Sequence, residues 1–224
     1  MVKVYALSIE DTVSNDVYEQ FIKLIPKCKL ETISRKRFNN DKKRSLYADI
    51  LIRYLICKNY DICNDKIKFY NNDYGKPYLF NKLNCYFNIS HSGKWIFVGL
   101  SNNEIGVDIE QITNCDLDIA KHFFTTQEYH DLLNAKDQNQ LFFEIWSIKE
   151  SYIKYKGLGL SINLDSFNCR KLTDSIAVIL NEDRKLNVRL YNLDKNYSSV
   201  VCSIEESAST VQIVTLKQIY EYFT

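Results

Sequence analysis

Two acidic residues stand two positions apart in an otherwise apolar segment, residues 106–110 (Gly-Val-Asp-Ile-Glu). Side chains alternate between the two faces of a strand, so Asp108 and Glu110 would share one face while Val107 and Ile109 pack into a core. Two carboxylates held this close repel each other, and a hard cation with oxygen ligands, Mg²⁺ before Ca²⁺, would relieve the repulsion. An edge strand with one solvated face has the same pattern, so both interpretations stay open.

A second candidate group lies in residues 146–154 (Trp-Ser-Ile-Lys-Glu-Ser-Tyr-Ile-Lys), whose apolar positions have helical spacing. Glu150 and Lys154 are four residues apart and are therefore neighbours on the helix surface. The pair predicts either a surface salt bridge worth about 0.3–0.5 kcal/mol or a carboxylate beside a metal with an ammonium group ready for a phosphate. Spacing alone favours the salt bridge.

Residues 88–93 (Asn-Ile-Ser-His-Ser-Gly) place one of the three histidines between two serines. We predict a Gly-terminated loop between two strands, in which Ser90, His91 and Ser92 would offer hydroxyl, imidazole and backbone N–H groups to an anion. The same residues could equally form a polar hairpin connection. The sequence contains no G-x-S-x-G segment, so it does not support a serine hydrolase.

Basic residues concentrate early in the chain. Such a cluster is usually a solvated face, but it could also bind phosphates or dock an acidic partner. The formal net charge of +1, from 29 basic and 28 acidic residues, disfavours nucleic acid as that partner. The cluster consists of Arg35, Lys36, Arg37, Lys42, Lys43 and Arg44, extended by Lys76.

The elements that must position these residues follow from the hydrophobic pattern. It predicts a strand over residues 2–9, helices over 15–25 and 41–58, strands over 66–70, 84–89 and 95–101, and a turn at 73–77. Asp41 is the expected N-cap of the second helix. The order then restarts, because residues 104–111 resemble residues 4–11 and Glu110 falls where Glu10 does.

The second half of the pattern contains a helix over 117–124, a further segment over 126–134, a long helix over 138–156, strands over 162–170, 174–181, 187–193 and 199–204, and a short strand with a terminal helix over 211–223. We expect residues 157–159 to stop the long helix. The sequence therefore predicts an α+β fold of two similar halves, 1–103 and 104–224, with a ligand site in the cleft between them.

Composition limits the class of protein. With 224 residues, 46% of them hydrophobic, and only 6 Gly and 2 Pro, the chain can bury a sizeable core. Its seven cysteines include no C-x-x-C pair and are expected to be reduced, buried apolar side chains, which favours a cytoplasmic location. The first residues do not form a secretory signal, and no apolar run is long enough to span a membrane.

Taken in order, several of these segments resemble the Sfp-type 4′-phosphopantetheinyl transferases, the family of the surfactin-synthetase-activating enzyme. The matching segments are residues 74–77 (Tyr-Gly-Lys-Pro), 87–93 (Phe-Asn-Ile-Ser-His-Ser-Gly), 105–110 (Ile-Gly-Val-Asp-Ile-Glu), 123–124 (Phe-Phe), 128–129 (Glu-Tyr), 146–154 and 157–160 (Gly-Leu-Gly-Leu), together with the helix of Asp41, Arg44 and Arg53. Each match is short, but all occur in the order of the family.

The resemblance implies a pseudo-twofold α+β fold with coenzyme A bound between the halves. It implies that Asp108, Glu110 and Glu150 hold Mg²⁺ against the pyrophosphate and that Lys154 lies near the phosphate of the leaving group. It also implies a second group of residues around coenzyme A. Arg44, Lys76, Ser90 and His91 would bind the phosphoadenosine end, with Glu128 and Lys149 also lining the site.

The implied reaction transfers phosphopantetheine to a serine of an apo carrier protein (peptidyl, acyl or aryl) and releases 3′,5′-ADP, in support of non-ribosomal peptide, polyketide or fatty-acid synthesis. The serine hydroxyl would attack the β-phosphorus, Glu150 would take its proton, and Lys154 would stabilise the departing phosphate.

Two other functions use the same residues. A Mg²⁺-dependent phosphohydrolase could act on coenzyme A or a related nucleotide, and a non-catalytic module could bind coenzyme A. Because one chain contains both halves of a pseudo-dimer, we expect a monomer, with neither nucleic acid nor a membrane as partner.

Overall fold

The computed structural model describes residues 1–80, 83–180 and 186–224. Its helices are α1 (Asn15–Lys23), α2 (Lys27–Ser34), α3 (Asn39–Tyr60), α4 (Leu117–Phe123), α5 (Thr126–Leu133), α6 (Gln138–Lys156) and α7 (Leu216–Phe223). Its strands are β1 (Lys3–Ser8), β2 (Phe69–Asn71), β3 (Pro77–Leu79), β4 (Tyr86–Ser92), β5 (Trp95–Ser101), β6 (Ile105–Gln111), β7 (Cys169–Thr173), β8 (Ile176–Ile179), β9 (Asn187–Tyr191), β10 (Tyr197–Ser203) and β11 (Gln212–Ile213). Within these ranges no helix is long and apolar enough to cross a membrane.

The two halves repeat one order of elements. Each runs through a strand, three helices, a short hairpin and an antiparallel strand pair. The first sheet has the order β11-β1-β5-β4 and the second the order β6-β10-β9-β8-β7, so that β1-β5-β4 corresponds to β6-β10-β9, antiparallel at every step. This repeat confirms the predicted α+β fold of two similar halves.

Three apolar cores hold the chain together. One surrounds α3, which is buried without interruption from Leu46 to Cys57. The second lies between α6 and the second sheet, and includes Ile148 and Val200. The third joins the halves, since residues such as Phe97 of β5 and Val107 of β6 are fully buried in it. Two sheets that share a core face are fixed relative to each other, which in turn fixes any site between them.

The C-terminal segment returns to pack on the first half, and the predicted division at 1–103 and 104–224 stays a prediction. Strand β11 pairs in parallel with β1 and covers an edge that would otherwise be open. Leu216 and Ile219 of α7 are fully buried in the core around α3. The reason is physical: α7 presents an apolar face, and the first half has the uncovered surface that can bury it.

The prediction of a loop at Ser90-His91-Ser92 is wrong, because these residues are the last three of β4. The strand continues to a two-residue turn at Gly93 and Lys94, after which Trp95 pairs with Ser92. Gly93 has a φ of +51°, a conformation that favours glycine at the first position of such a turn. The side chains of these three residues therefore point alternately to the two faces of the strand.

Other differences concern weakly patterned segments. Helix α2 was not predicted, because Ile33 is its one buried residue and leaves little periodicity to detect. Helix α3 begins at Asn39, so Asp41 lies in its first turn and is not the N-cap. The predicted strand over 162–170 is mostly wrong, since 3₁₀ turns at Gly159–Ser161 and Leu164–Ser166 precede β7. Among the cysteines, Cys28 and Cys63 are exposed, not buried.

Candidate active site

Strands β4 and β6, each at the edge of its own sheet, lie beside each other where the halves meet; we call this contact the seam. Side chains at alternate positions of β4 form hydrogen bonds with β6 across the seam. Asn88 Oδ1 accepts a hydrogen bond from the Val107 backbone N–H (2.9 Å), and Ser90 Oγ donates to Asp108 Oδ1 (2.9 Å). Ser92, two positions after Ser90, donates a hydrogen bond to Glu110, the next carboxylate along β6.

Asp108 is the most buried of the predicted metal ligands, with 1% of its surface exposed. Its Oδ1 accepts hydrogen bonds from Ser90 and from the ammonium group of Lys154, whose Nζ is 2.6 Å away. Lys154 also donates to Ser90 Oγ (3.1 Å). The other oxygen, Oδ2, is buried and has no hydrogen-bond partner among the described residues. An unpaired buried carboxylate oxygen is costly and marks a place where a cation would be stabilised.

Glu110 and Glu150 share the electrostatic environment of Asp108. Burial, followed by repulsion from Asp108, raises the pKa of Glu110 to about 7, although the hydroxyl of Ser92 opposes the shift. Burial also raises the pKa of Glu150, with Lys154 opposing and Asp108 adding to the shift. The three carboxylates therefore lie close enough to disfavour one another's ionisation.

The ammonium group of Lys154 responds in the opposite sense. Burial on its own would lower the pKa of Lys154, but Asp108, then Glu150 and Glu110, raise it above its ordinary value. The ion stays charged because three carboxylates surround it. The structure thus brings together the predicted residues Asp108, Glu110, Glu150, Lys154 and Ser90.

The donor chemistry of this group fits Mg²⁺. In the described ranges, no three His, Cys, Asp or Glu side chains are already arranged as a metal cage. Mg²⁺ does not require one, because it is usually held by one or two carboxylates, waters and substrate phosphates. Such a cation would relieve the mutual repulsion of the three carboxylates, and it would give the unpaired Oδ2 of Asp108 a partner.

Gly106 allows helix α6 to approach β6 closely. A Cβ at this position would lie 1.9 Å from the Ser151 carbonyl oxygen and 2.2 Å from the Tyr155 nitrogen, both backbone atoms of α6. The helix ends at Gly157, which has a φ of +69° and caps the last turn as predicted. The contact at Gly106 places Glu150 and Lys154 over the carboxylates of β6.

His91 lies on β4, and part of its side chain is open to solvent while the rest packs against the protein. Desolvation lowers the pKa of His91, and the nearby cations Arg44, Lys36 and Lys154 lower it further. Arg44 itself donates to the Gly93 carbonyl oxygen (2.7 Å) and is 2.5 Å from Asp41. A cationic group therefore surrounds His91 at one end of the seam, and it includes Lys36 from the basic cluster.

The side chain of Lys76 is engaged inside the protein, and its predicted place at the phosphoadenosine end stays a prediction. Its buried Nζ donates to Glu104 Oε2 (2.6 Å) and to the carbonyl oxygens of Ile105 (3.0 Å) and Tyr155 (3.3 Å). Burial lowers the pKa of Lys76, and Glu104 opposes the shift. With all three ammonium hydrogens bonded, Lys76 links the β2–β3 turn to β6 and α6 and has no donor left for a ligand.

Glu128 and Lys149 are likewise paired inside the protein, and their predicted role in lining the ligand site stays a prediction. Lys149 is fully buried, and its Nζ contacts Glu128 (2.8 Å) and the carbonyl oxygens of Leu164 and Phe167 (2.7 Å each). The other oxygen of Glu128 accepts from the Cys169 backbone N–H (2.8 Å). The pair is an internal tie between α5, α6 and the start of β7.

Known proteins resemble this chain over most of its length. Residues 104–205 match the family described as the 4′-phosphopantetheinyl transferase superfamily, and residues 12–103 match the family described as the N-terminal part of 4′-phosphopantetheinyl transferase. The chain is 36% identical over 206 residues to the 4′-phosphopantetheinyl transferase Sfp of Bacillus subtilis (strain 168), an alignment that covers 90% of this chain and 92% of that protein. The chain belongs to the 4′-phosphopantetheinyl transferase family.

Two further relatives are also named 4′-phosphopantetheinyl transferases. The transferase is 34% identical over 221 residues to the 4′-phosphopantetheinyl transferase psf-1 of Bacillus pumilus, covering 95% of each chain. It is 33% identical over 221 residues to the 4′-phosphopantetheinyl transferase gsp of Aneurinibacillus migulanus, covering 97% of this chain and 92% of that one. The predicted resemblance, fold class and enzyme class are confirmed, and the alternative of a phosphohydrolase finds no support in these relatives.

Sequence reasoning missed the structural roles of three residues that shape the site of this transferase. Asn88 and Ser92 bond across the seam, and Gly106 sets the distance between α6 and β6. The spacing 88, 90, 92 is the period-two signal of a strand face and could have revealed the first two. Nothing local marks the role of Gly106, because the atoms it must avoid lie some 45 residues later in the chain.

Proposed function

We propose that the transferase moves the 4′-phosphopantetheine arm of coenzyme A onto a serine of an apo carrier protein at the seam between its halves. Family membership supports the reaction. The observation that carries the location is the group formed by Asp108, Glu110, Glu150 and Lys154, in which three carboxylates surround one ammonium ion. A pyrophosphate substrate needs both a cation site and a positive group for the leaving phosphate.

In this proposal Asp108, Glu110 and Glu150 are the residues that would hold Mg²⁺. The bound ion would supply charge neutralisation at the pyrophosphate. Ser90 belongs to this carboxylate group and not to the phosphoadenosine end, because its O–H is donated to Asp108. The unpaired buried Oδ2 of Asp108 supports the assignment.

The transfer step makes one bond and breaks one bond. The carrier serine Oγ forms a bond to the β-phosphorus of coenzyme A, and the bond from that phosphorus to the oxygen of 3′,5′-ADP breaks. Glu150 receives the serine proton, because a carboxylate within reach of the reacting hydroxyl can act as a general base. Lys154, one helical turn later, balances the charge that develops on the departing phosphate.

His91, Arg44 and Lys36 would bind the 3′-phosphate end of coenzyme A. The two cations already lower the pKa of His91, so they lie near its ring, and a phosphate dianion placed among them would be paired with several donors. This assignment keeps two of the predicted residues, Arg44 and His91, and adds Lys36. It leaves Lys76 as an internal link.

We infer that the enzyme acts as a monomer, because the second half supplies what a partner subunit would supply to a single half. Carriers of non-ribosomal peptide, polyketide or fatty-acid synthesis are the expected partners, in a cytoplasmic setting. Mass spectrometry of several apo carriers incubated with enzyme, coenzyme A and Mg²⁺ tests the proposal. No added phosphopantetheine on any of them would contradict it.

Glu150→Gln tests the proposed base. We expect the variant to retain coenzyme A binding and to lose about 10²–10⁴-fold in transfer rate at saturating Mg²⁺, because an amide cannot accept the serine proton. Single-turnover mass spectrometry of the carrier and calorimetry of coenzyme A binding measure the two quantities.

Glu144→Gln is the matched control on the same helix. Glu144 bonds to Gln140 and Lys171, away from the seam, so its amide variant should transfer at close to the normal rate. Near-normal turnover in Glu150→Gln would remove Glu150 from the role of base.

A further inference from the structure

Ser92 is the last residue of β4, and its hydroxyl bridges two consecutive groups of β6. Ser92 Oγ donates to Glu110 Oε2 (2.8 Å) and accepts from the Gln111 backbone N–H (3.1 Å). Strands β4 and β6 belong to different sheets. The Ser92 side chain joins them by hydrogen bonds, as backbone groups join neighbouring strands inside one sheet. The bond uses one oxygen of Glu110 and leaves Oε1 for another partner.

The turn that follows Ser92 is held from both halves. Arg44 of α3 donates to the Gly93 carbonyl oxygen (2.7 Å), and the Lys94 backbone N–H donates to Tyr197 Oη (3.0 Å). Gly93 packs so closely on Tyr197 that a Cβ would lie 2.2 Å from its hydroxyl oxygen. These contacts hold the end of the hairpin, and with it Ser92, in place.

We propose that Ser92 is a positioning residue for the transfer reaction, because its hydroxyl fixes the carboxylate of Glu110 in the orientation that faces Asp108 and Glu150. The proposal rests on the proposed function of these carboxylates. A glutamate side chain has several rotatable bonds, and an orienting hydrogen bond removes most of their freedom before a ligand arrives. Partners that orient metal ligands typically change metal affinity or activity by about 10–100-fold when they are removed.

The test is binding of Mn²⁺, used in place of Mg²⁺, to the complex of enzyme and coenzyme A, followed by electron paramagnetic resonance. Without a carrier no turnover occurs, so affinity is measured apart from activity. Ser92→Ala should weaken Mn²⁺ binding by about 10–100-fold, whereas Ser92→Thr, which keeps the hydroxyl, should restore most of the affinity. Transfer by Ser92→Ala should show a lower kcat with little change in the KM for coenzyme A.

Ser199→Ala is the matched control. Ser199 is buried on β10, and its Oγ donates to the Tyr191 carbonyl oxygen (2.9 Å), so its loss costs a hydroxyl hydrogen bond in the core between the sheets. We expect it to lower stability while leaving Mn²⁺ affinity unchanged. Equal losses of Mn²⁺ affinity in Ser199→Ala and Ser92→Ala would overturn the proposal, because the effect would then be general loosening.

Binding of 3′,5′-ADP distinguishes a loss of Glu110 positioning from a displacement of the whole strand β4. His91 precedes Ser92 on β4, so a displaced strand would also weaken binding of 3′,5′-ADP measured without metal. We expect Ser92→Ala to bind 3′,5′-ADP as the unaltered enzyme does. If Ser92→Ala does not fold, Ser92→Cys keeps the shape with a weaker donor and should show a loss of Mn²⁺ affinity in the same direction.

Unchanged Mn²⁺ affinity in Ser92→Ala, or in Ser92→Cys where that variant is used, would overturn the positioning role. Failure of the proposed function has a different result: the unaltered enzyme would then load no apo carrier. An enzyme that loads carriers normally and is insensitive to Ser92 would refute the role of Ser92 alone.

Discussion

At the scale of single residues, two lysines, one buried and one partly exposed, show how surroundings decide what a charged group can do. Lys76 has three acceptors within the protein and a pKa lowered by burial, so it acts as a structural link. Lys154 is bonded to Asp108 and Ser90, and the surrounding carboxylates raise its pKa. A phosphate or a cation entering the seam would compete for these contacts, which makes Lys154 the responsive member of the pair.

His91→Ala tests the 3′-phosphate assignment at this scale. The variant should bind coenzyme A about 10–100-fold more weakly, because a hydrogen bond to a charged group contributes about 1.5–3 kcal/mol. Binding of dephospho-coenzyme A, which lacks the 3′-phosphate, should barely change. Calorimetry of both ligands makes the comparison.

His122→Ala provides the control for that experiment, since His122 is exposed on α4 and its ring lies against the Asp118 carbonyl oxygen of its own helix. It should leave both affinities unchanged. Equal losses for the two ligands in His91→Ala would contradict a 3′-phosphate contact.

At the scale of elements, the packing of α6 on β6 decides whether the catalytic residues meet. The carboxylates of β6 and the residues of α6 come from segments about 40 positions apart, and the glycine at position 106 lets the two backbones come into contact. Since the obstructing atoms are backbone, they cannot turn aside as a side chain would. A small displacement of α6 would separate Lys154 from Asp108.

Gly106→Ala should therefore impair transfer far more than it impairs folding. We expect a loss of about 1–3 kcal/mol in the free energy of unfolding from overpacking and at least about a 10²-fold loss of transfer rate, the cost of a misplacement near 1 Å. Urea unfolding and carrier loading measure the two effects.

Gly99→Ala is the comparison, because its Cβ would meet the side chains of Ile105 and Val107, which can adjust, from the opposite face of β6. It should lose stability but keep most of its activity. A Gly106→Ala variant with near-normal transfer would show that close approach of α6 is not required.

At the scale of the whole molecule, the C-terminal segment ties the halves together. Before reaching β11, the chain runs along the start of β1: the Val2 backbone N–H donates to the Glu206 carbonyl oxygen, and the Ala208 backbone N–H donates to the Val2 carbonyl oxygen. Helix α7 then completes the core around α3. The first half is thus completed by the last residues of the chain.

Ile219→Ala should destabilise the first half in particular. Truncating a fully buried isoleucine costs about 2–5 kcal/mol, and hydrogen exchange should rise first in α3 and β1. Lys217→Ala, on the exposed face of the same helix, should stay within about 0.5 kcal/mol of the unaltered protein. Faster exchange confined to β6 and α6 would contradict this assignment of α7.

The sequence by itself determined the features that depend on local pattern. The bounds of α6 match the predicted helix over 138–156, since its periodicity and the glycine at 157 are local. The shared face of Asp108 and Glu110 follows from strand alternation and holds on β6. The succession of short motifs was enough to indicate the family, because the residue types that bind a pyrophosphate must occur in the order in which the chain brings them together.

Only the tertiary structure decided which way several charged side chains face. Lys76, Glu128 and Lys149 are charged residues that could line a ligand site, yet each is paired inside the protein with atoms supplied by other segments. The choice between the two roles of Glu150 and Lys154 was likewise open until β6 was found beneath α6. Periodicity reports which face of an element is buried, but the partner on that face comes from distant residues, and that partner sets the function.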